Sequence, residues 1–131
     1  MKVNRIWANF AVKDLEQTSA FYTQLGFKPN GPFHQSKDLT SFLFGDEEFV
    51  IHFFLEDRLR PAMKGNLSDL KQGNEIIFTL SVAKREEVDQ WAAAVRDAGG
   101  TVVSEPEEFM PGFYGFVFAD PDGHKFNVFH M

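Results

Sequence analysis

The chain has 131 residues, 44% of them hydrophobic and 15% aromatic, with 16 phenylalanines and no cysteine. That length gives one compact domain or two very small halves sharing a core, and the missing cysteines exclude disulfides, thiolate metal sites and cysteine nucleophiles together. A formal charge of −6, from 13 basic and 19 acidic residues, leaves no Lys/Arg stripe to displace counterions from a phosphate backbone, so a nucleic-acid partner is excluded.

The start, Met1-Lys2-Val3-Asn4-Arg5, lacks a signal-like apolar run. No apolar segment nears the roughly 18 residues of a membrane helix, so no membrane partner is expected and the cytoplasm is the expected compartment. Residues 6–12 alternate as a strand, with Trp7, Asn9 and Ala11 on one face and Ile6, Ala8, Phe10 and Val12 on the other. Asp14 reads as a helix N-cap, with Gln17 completing a capping box. The helix over 15–25 turns Leu15, Ala20, Phe21, Tyr22 and Leu25 inward and stops at Gly26. Phe27-Lys28-Pro29 opens the next strand, Gly31-Pro32 marks a loop, and residues 40–44 and 49–55 pair as a hairpin.

Residues 56–74 change character, with charges, Pro61, Gly65 and Gly73, and predict two short helical turns near 57–59 and 67–70. This is the connection between halves, and a candidate flap. The pattern then restarts. Residues 76–82 form a strand, and 85–98 a helix with Val88, Trp91, Ala92 and Val95 at helical spacing, stopped by Gly99-Gly100. Glu105, Glu107 and Glu108 read as a solvated loop. Strands at 101–103, 114–118 and 125–129 follow, the last two joined by Asp120-Pro121-Asp122-Gly123-His124. There Pro121 presets its φ, both aspartates can bond nearby N–H groups, and Gly123 can take positive φ.

The order is βαβββ, connection, βαβββ: an α+β chain of residues 1–131 with modules at 1–55 and 75–131 joined through 56–74. Val12 and Val82 hold equivalent places about 70 residues apart, as a duplicated module requires. One module alone leaves its sheet half covered. Pairing two, within a chain or between chains, curls the sheets into a cup with the helices outside.

The opening Ile6-Trp7-Ala8-Asn9-Phe10-Ala11-Val12-Lys13-Asp14-Leu15-Glu16, with Phe21-Tyr22 and Leu25-Gly26-Phe27, resembles the start of vicinal oxygen chelate proteins. These are the glyoxalase, bleomycin-resistance and extradiol-dioxygenase group. Asp120-Pro121-Asp122-Gly123-His124 and the strand after it resemble their last hairpin, and the chain looks most like the small glyoxalase-like proteins among them. Metal-using relatives place His, Gln or Glu on the first strand of each module and Glu on each last strand, opening a divalent ion to two substrate oxygens. The resemblance carries those positions onto Trp7, Ile77, Asn127, and either Val50 or His52. Indole and alkyl groups offer no lone pair, and an amide is a poor substitute for a carboxylate. No metal and no other cofactor is therefore expected. A rebuilt site of Asn9, His52 and Asn127 would hold a divalent ion only weakly.

His52, inside the apolar run Val50-Ile51-His52-Phe53-Phe54, is either a core histidine or a polar group lining the cup. Asn127 is disfavoured in a strand interior, and its family position faces inward. Trp7 is either core filler or, on the face the resemblance gives to metal ligands, a stacking surface in their place. Tyr114, Phe116 and Phe118 share a face that is either core or cup. His124 reads as a solvated turn residue, and His34 and His130 receive no role. The candidate ligand-binding set is Trp7, Asn9, His52, Phe54, Tyr114 and Asn127, with no catalytic residue assigned.

No Ser/His/Asp nucleophile arrangement, phosphate loop or zinc-protease helix is visible. Two principal readings stay open. One is a homodimeric protein binding a small apolar or cationic aromatic molecule in its cup without metal. The other is a divalent-metal-dependent lyase, isomerase or dioxygenase.

Overall fold

In a computed structural model, which describes residues 1–131 save for the side chain of Phe33, each half of the chain builds its own four-stranded sheet. The chain divides into two compact units, Met1–Ser68 and Asp69–Met131. Each has the βαβββ order read from the sequence, and the class is α+β.

The first unit comprises β1 (Ala8–Val12), α1 (Leu15–Gln24), β2 (Lys28–Pro29), β3 (Leu39–Phe44), β4 (Phe49–Leu55) and α2 (Glu56–Met63). Its strands lie in the order β1-β4-β3-β2, with β1 parallel to β4 and the other pairs antiparallel. Asp14 starts α1 as expected, its Oδ1 accepting the Gln17 N–H at 3.0 Å. Gly26, at φ 91°, turns the chain out of the helix while the Phe27 N–H reaches the Tyr22 carbonyl at 3.1 Å.

Ala20, expected inward, is exposed. The buried stripe runs instead through Thr18, Phe21 and Tyr22, and the Thr18 hydroxyl satisfies the Asp14 carbonyl at 3.0 Å. Tyr22 stacks on Phe53 at 4.5 Å and lies 5.7 Å from Phe42. Each such ring withdrawn from water contributes roughly 2–3 kcal/mol, so this cluster is the main adhesive of the unit. β1 begins at Ala8 rather than Ile6, because its only neighbour is β4 and the pairing opens with Ala8 opposite Ile51.

The segment after β4 is a full helix, not a single turn. Pro61 sits inside α2 and forfeits one helical hydrogen bond. Burial of Leu59 and the ion pairs Arg60–Asp57 and Arg58–Asp38, at 2.8 and 2.9 Å, hold the helix in place. The second expected helical turn is replaced by a turn closed by Gln72 N–H and the Asp69 carbonyl.

The second unit comprises β5 (Ile77–Ser81), α3 (Arg85–Asp97), β6 (Thr101–Met110), β7 (Phe113–Ala119) and β8 (Lys125–His130). The order is β5-β8-β7-β6, with β5 parallel to β8. Glu87 reaches back to the Lys84 N–H at 2.7 Å to open α3, and Gly99 at φ 91° closes it. Val88, Ala92 and Val95 bury one face of α3 over Phe116, Phe118, Phe126 and Val128, and Trp91 stacks on Phe118 at 6.5 Å.

β6 extends to Met110, so Glu105, Glu107 and Glu108 stand on a strand and not in a loop. β6 is an outer strand, where glutamates reach water and Pro106 needs no ladder partner for a missing N–H. Its register shifts three times, between Val102 and Ser104, Ser104 and Glu107, and Glu108 and Met110, which hides the alternation a strand usually shows. Among the described residues no helix is long and apolar enough to cross a membrane.

Candidate functional site

Successive strand residues point to opposite faces, and in the first sheet Phe42, Ile51 and Phe53 take the face packed by α1. The opposite face therefore carries Asn9, Ser41, His52 and Phe54. Register aligns Asn9, His52 and Ser41 in one row across β1, β4 and β3. Trp7, just before β1 and half exposed, meets the His52 ring edge-on at 6.3 Å, and Phe54 meets it from the other side at 5.9 Å. Four of the six expected residues, Trp7, Asn9, His52 and Phe54, are thus gathered on one face.

A polar chain runs beneath them. Ser41 is fully buried, and its Oγ lies 2.7 Å from His52 Nδ1 and 3.4 Å from the Ile51 carbonyl oxygen. The Asn30 side-chain amide donates to that Oγ at 3.0 Å, while the Asn30 backbone N–H donates to the Ser41 carbonyl at 3.0 Å. A serine and a histidine do meet here, which the chain order conceals because they lie on neighbouring strands. With Ser41 at 0% exposure, the pair orients a ring and does not deliver an alkoxide.

Ser41 and Asn30 were missed by sequence reasoning. The lone hydroxyl between Leu39 and Leu43 on an otherwise apolar face was the available signal. Asn30, beside Pro29 and Gly31, carried none, since asparagine is ordinary in such loops.

Burial pulls the His52 pKa below the ordinary histidine value of 6.5. The folded chain therefore binds fewer protons at this ring than the unfolded chain does. The associated stability is fully present above 6.5 and is lost as pH falls through the folded value. An NMR titration of the His52 ring is expected to give a midpoint below 6.5, and a midpoint above it contradicts this account.

In the second sheet Asn127 stands in register between Thr79 of β5 and Val117 of β7, half-buried on the face away from α3. Tyr114, whose face the sequence leaves open between core and cup, does not share the face of Asn127. Alternation along β7 puts it with Phe116 and Phe118, on the side packed by α3, where its hydroxyl donates to Asp89 at 2.6 Å. The Arg85 guanidinium covers its ring at 3.8 Å.

His124 is likewise no solvated turn residue. It is 5% exposed, with Nδ1 2.9 Å from Asp120 Oδ2, and the Asn74 amide ties the turn down by donating to the Gly123 carbonyl at 2.8 Å. His130 lies in β8 and bonds the Val82 carbonyl through Nδ1.

The residues present do not fit a divalent ion. Trp7 and Ile77 have no lone pair to give, and Asn127 is a neutral amide. Among the described residues no group of three His, Cys, Asp or Glu side chains is placed to hold a metal. What the first face can do is stack on a flat molecule and address it with one imidazole and one amide.

Comparison with known proteins bears on the fold and the family. Curated proteins return no match. Among solved structures the chain is similar to hypothetical protein SA1046 from S. aureus, at 33% identity and TM-score 0.86, over 100% of this chain and 96% of that one. A glyoxalase-related enzyme from Fulvimarina pelagi is 18% identical at TM-score 0.84, over 98% of this chain and 89% of that one. A glyoxalase/bleomycin resistance protein/dioxygenase family enzyme from Burkholderia phytofirmans PsJN is 23% identical at TM-score 0.78, covering 95% of each chain. The superfamily's sequence profile matches residues 5–128, so this chain belongs to the Glyoxalase/Bleomycin resistance protein/Dioxygenase superfamily.

Proposed function

We propose that the protein binds a small apolar or cationic aromatic molecule without a metal ion, as a homodimer in the cytoplasm. The carrying observation is the grouping of Trp7 and Phe54 around the His52 ring on the face of the first sheet away from α1, with Asn9 in the same row. The formal charge of −6 favours a cationic ligand in the encounter. The alternative, a divalent-metal-dependent lyase, isomerase or dioxygenase, has only the fold behind it. Several large apolar side chains stand about half exposed, among them Trp7, Ile77, Phe109 and Met110, and a second copy would cover part of that surface.

Calorimetric titration against a panel of aromatic cations and flat hydrophobes is expected to give saturable binding, weakened roughly tenfold or more by Trp7→Ala. The reading is lost if no panel member produces heat, or if affinity survives that substitution unchanged. Stoichiometric transition metal in protein purified without chelator would favour the enzyme instead. Light scattering across a concentration series checks the dimer.

A further inference from the structure

Three side chains from separate segments, Asn30, Ser41 and His52, form a hydrogen-bonded chain whose direction is fixed by counting hydrogens. The Asn30 amide has only N–H to offer at its nitrogen, so Ser41 Oγ accepts there, at 3.0 Å. The buried hydroxyl must then place its own hydrogen, and it has two acceptors in range. His52 Nδ1 at 2.7 Å lies at the usual O–H hydrogen-bond length, whereas the Ile51 carbonyl at 3.4 Å lies beyond it. If Nδ1 were instead the donor, Oγ would accept twice and its hydrogen would be left with only the long contact. A residue at 0% exposure has no water to compensate that loss.

We infer that Ser41, braced by Asn30, is a positioning residue that fixes neutral His52 with its hydrogen on Nε2, so that a ligand reaching this ring meets a hydrogen-bond donor. The ligand class narrows accordingly, on the premise that this face binds a small molecule as proposed above. It is an aromatic or apolar body carrying a neutral acceptor oxygen, such as a carbonyl or ether. His52 then acts as a neutral donor toward that oxygen and not as a base that removes a proton from the ligand. Trp7 and Phe54, edge-on to the same ring, supply the apolar contact beside it.

The test has two arms. In uniformly 15N-labelled full-length protein at pH 8, long-range nitrogen–proton correlation is expected to show His52 with a protonated Nε2 and a bare Nδ1. Ser41→Ala, confirmed folded by its backbone spectrum, is expected to release the ring into a mixture of both tautomers. Hydrogen on Nδ1 in the wild type overturns the inference, and so does an unchanged tautomer in folded Ser41→Ala. The wild-type spectrum decides the matter even if the variant fails to fold.

The second arm compares acetophenone with α-methylstyrene, its near-isostere lacking the oxygen. A preference for the ketone of roughly tenfold, abolished in His52→Phe, is expected. Binding of both without preference overturns the ligand class. Binding of neither, nor of any panel member, defeats the proposed function and the ligand class with it, while the nitrogen spectrum still decides the tautomer.

Discussion

Asp120→Ala is expected to be among the most damaging single substitutions in the chain, at about 3–5 kcal/mol, because it strips a buried acceptor from several donors that each cost roughly 1–3 kcal/mol when left unsatisfied. The Asp120 carboxylate is fully buried, and its Oδ1 accepts the N–H groups of Asp122 at 3.0 Å and His124 at 2.9 Å. The His124 ring leans on the same carboxylate, with Nδ1 at 3.1 and 2.9 Å from its two oxygens. Alanine would take the acceptor from two backbone donors and one imidazole, inside a turn that connects β7 to β8. Asp120→Asn keeps one oxygen for the backbone donors and is expected to lose less. Urea unfolding checks this: the midpoint should fall with little change in slope. A loss below about 1 kcal/mol for alanine would show that the carboxylate does not organise the turn.

Gly115→Ala is the second, at roughly 2–3 kcal/mol through overpacking. Gly115 faces Phe129 across the β7–β8 ladder. An added Cβ would sit 2.6 Å from the Val128 carbonyl oxygen and 2.9 Å from Phe129 Cβ. The nearest obstacle is backbone in a central strand, so relief requires the ladder itself to move. A fall in melting temperature of roughly 5–10 °C is expected by calorimetry. Gly65, whose added Cβ would meet nothing within 4 Å, supplies the control: alanine there is expected to be near neutral. Equal effects at the two positions would refute the steric account.

The two helices that pack on the sheets were legible because their signals are local. Asp14 with Gln17, and Val88 through Val95, announce a start and a buried stripe within a single helical span. The duplicated order was legible for the same reason, since each module repeats its own punctuation. Signals that depend on a distant partner were not. Pro61 disguised α2, whose support comes from Leu59 burial and from an ion pair to Asp38, just before β3 and distant in sequence. The glutamates of β6 looked like loop because an outer strand tolerates charge and its bulges erase alternation. His124 looked wet until Asp120 was seen to hold it. Tyr114 could be placed only once α3 was known to cover Phe116 and Phe118. Four members of the candidate site followed from strand parity, but Asn30 and Ser41 emerged only from register between strands.

The irregular outer strand also bears on how copies of this protein meet. A straight strand with free amides on its rim invites another chain to add on, and repeated addition grows a fibril. Pro106 brings no amide to the strand, the register breaks bend the rim, and Glu105, paired with Arg96, and Glu107 place charged side chains on it. β6 is thus a poor template for sheet extension. Any second copy is steered toward side-chain surfaces, and this end of the sheet stays closed to runaway polymerisation.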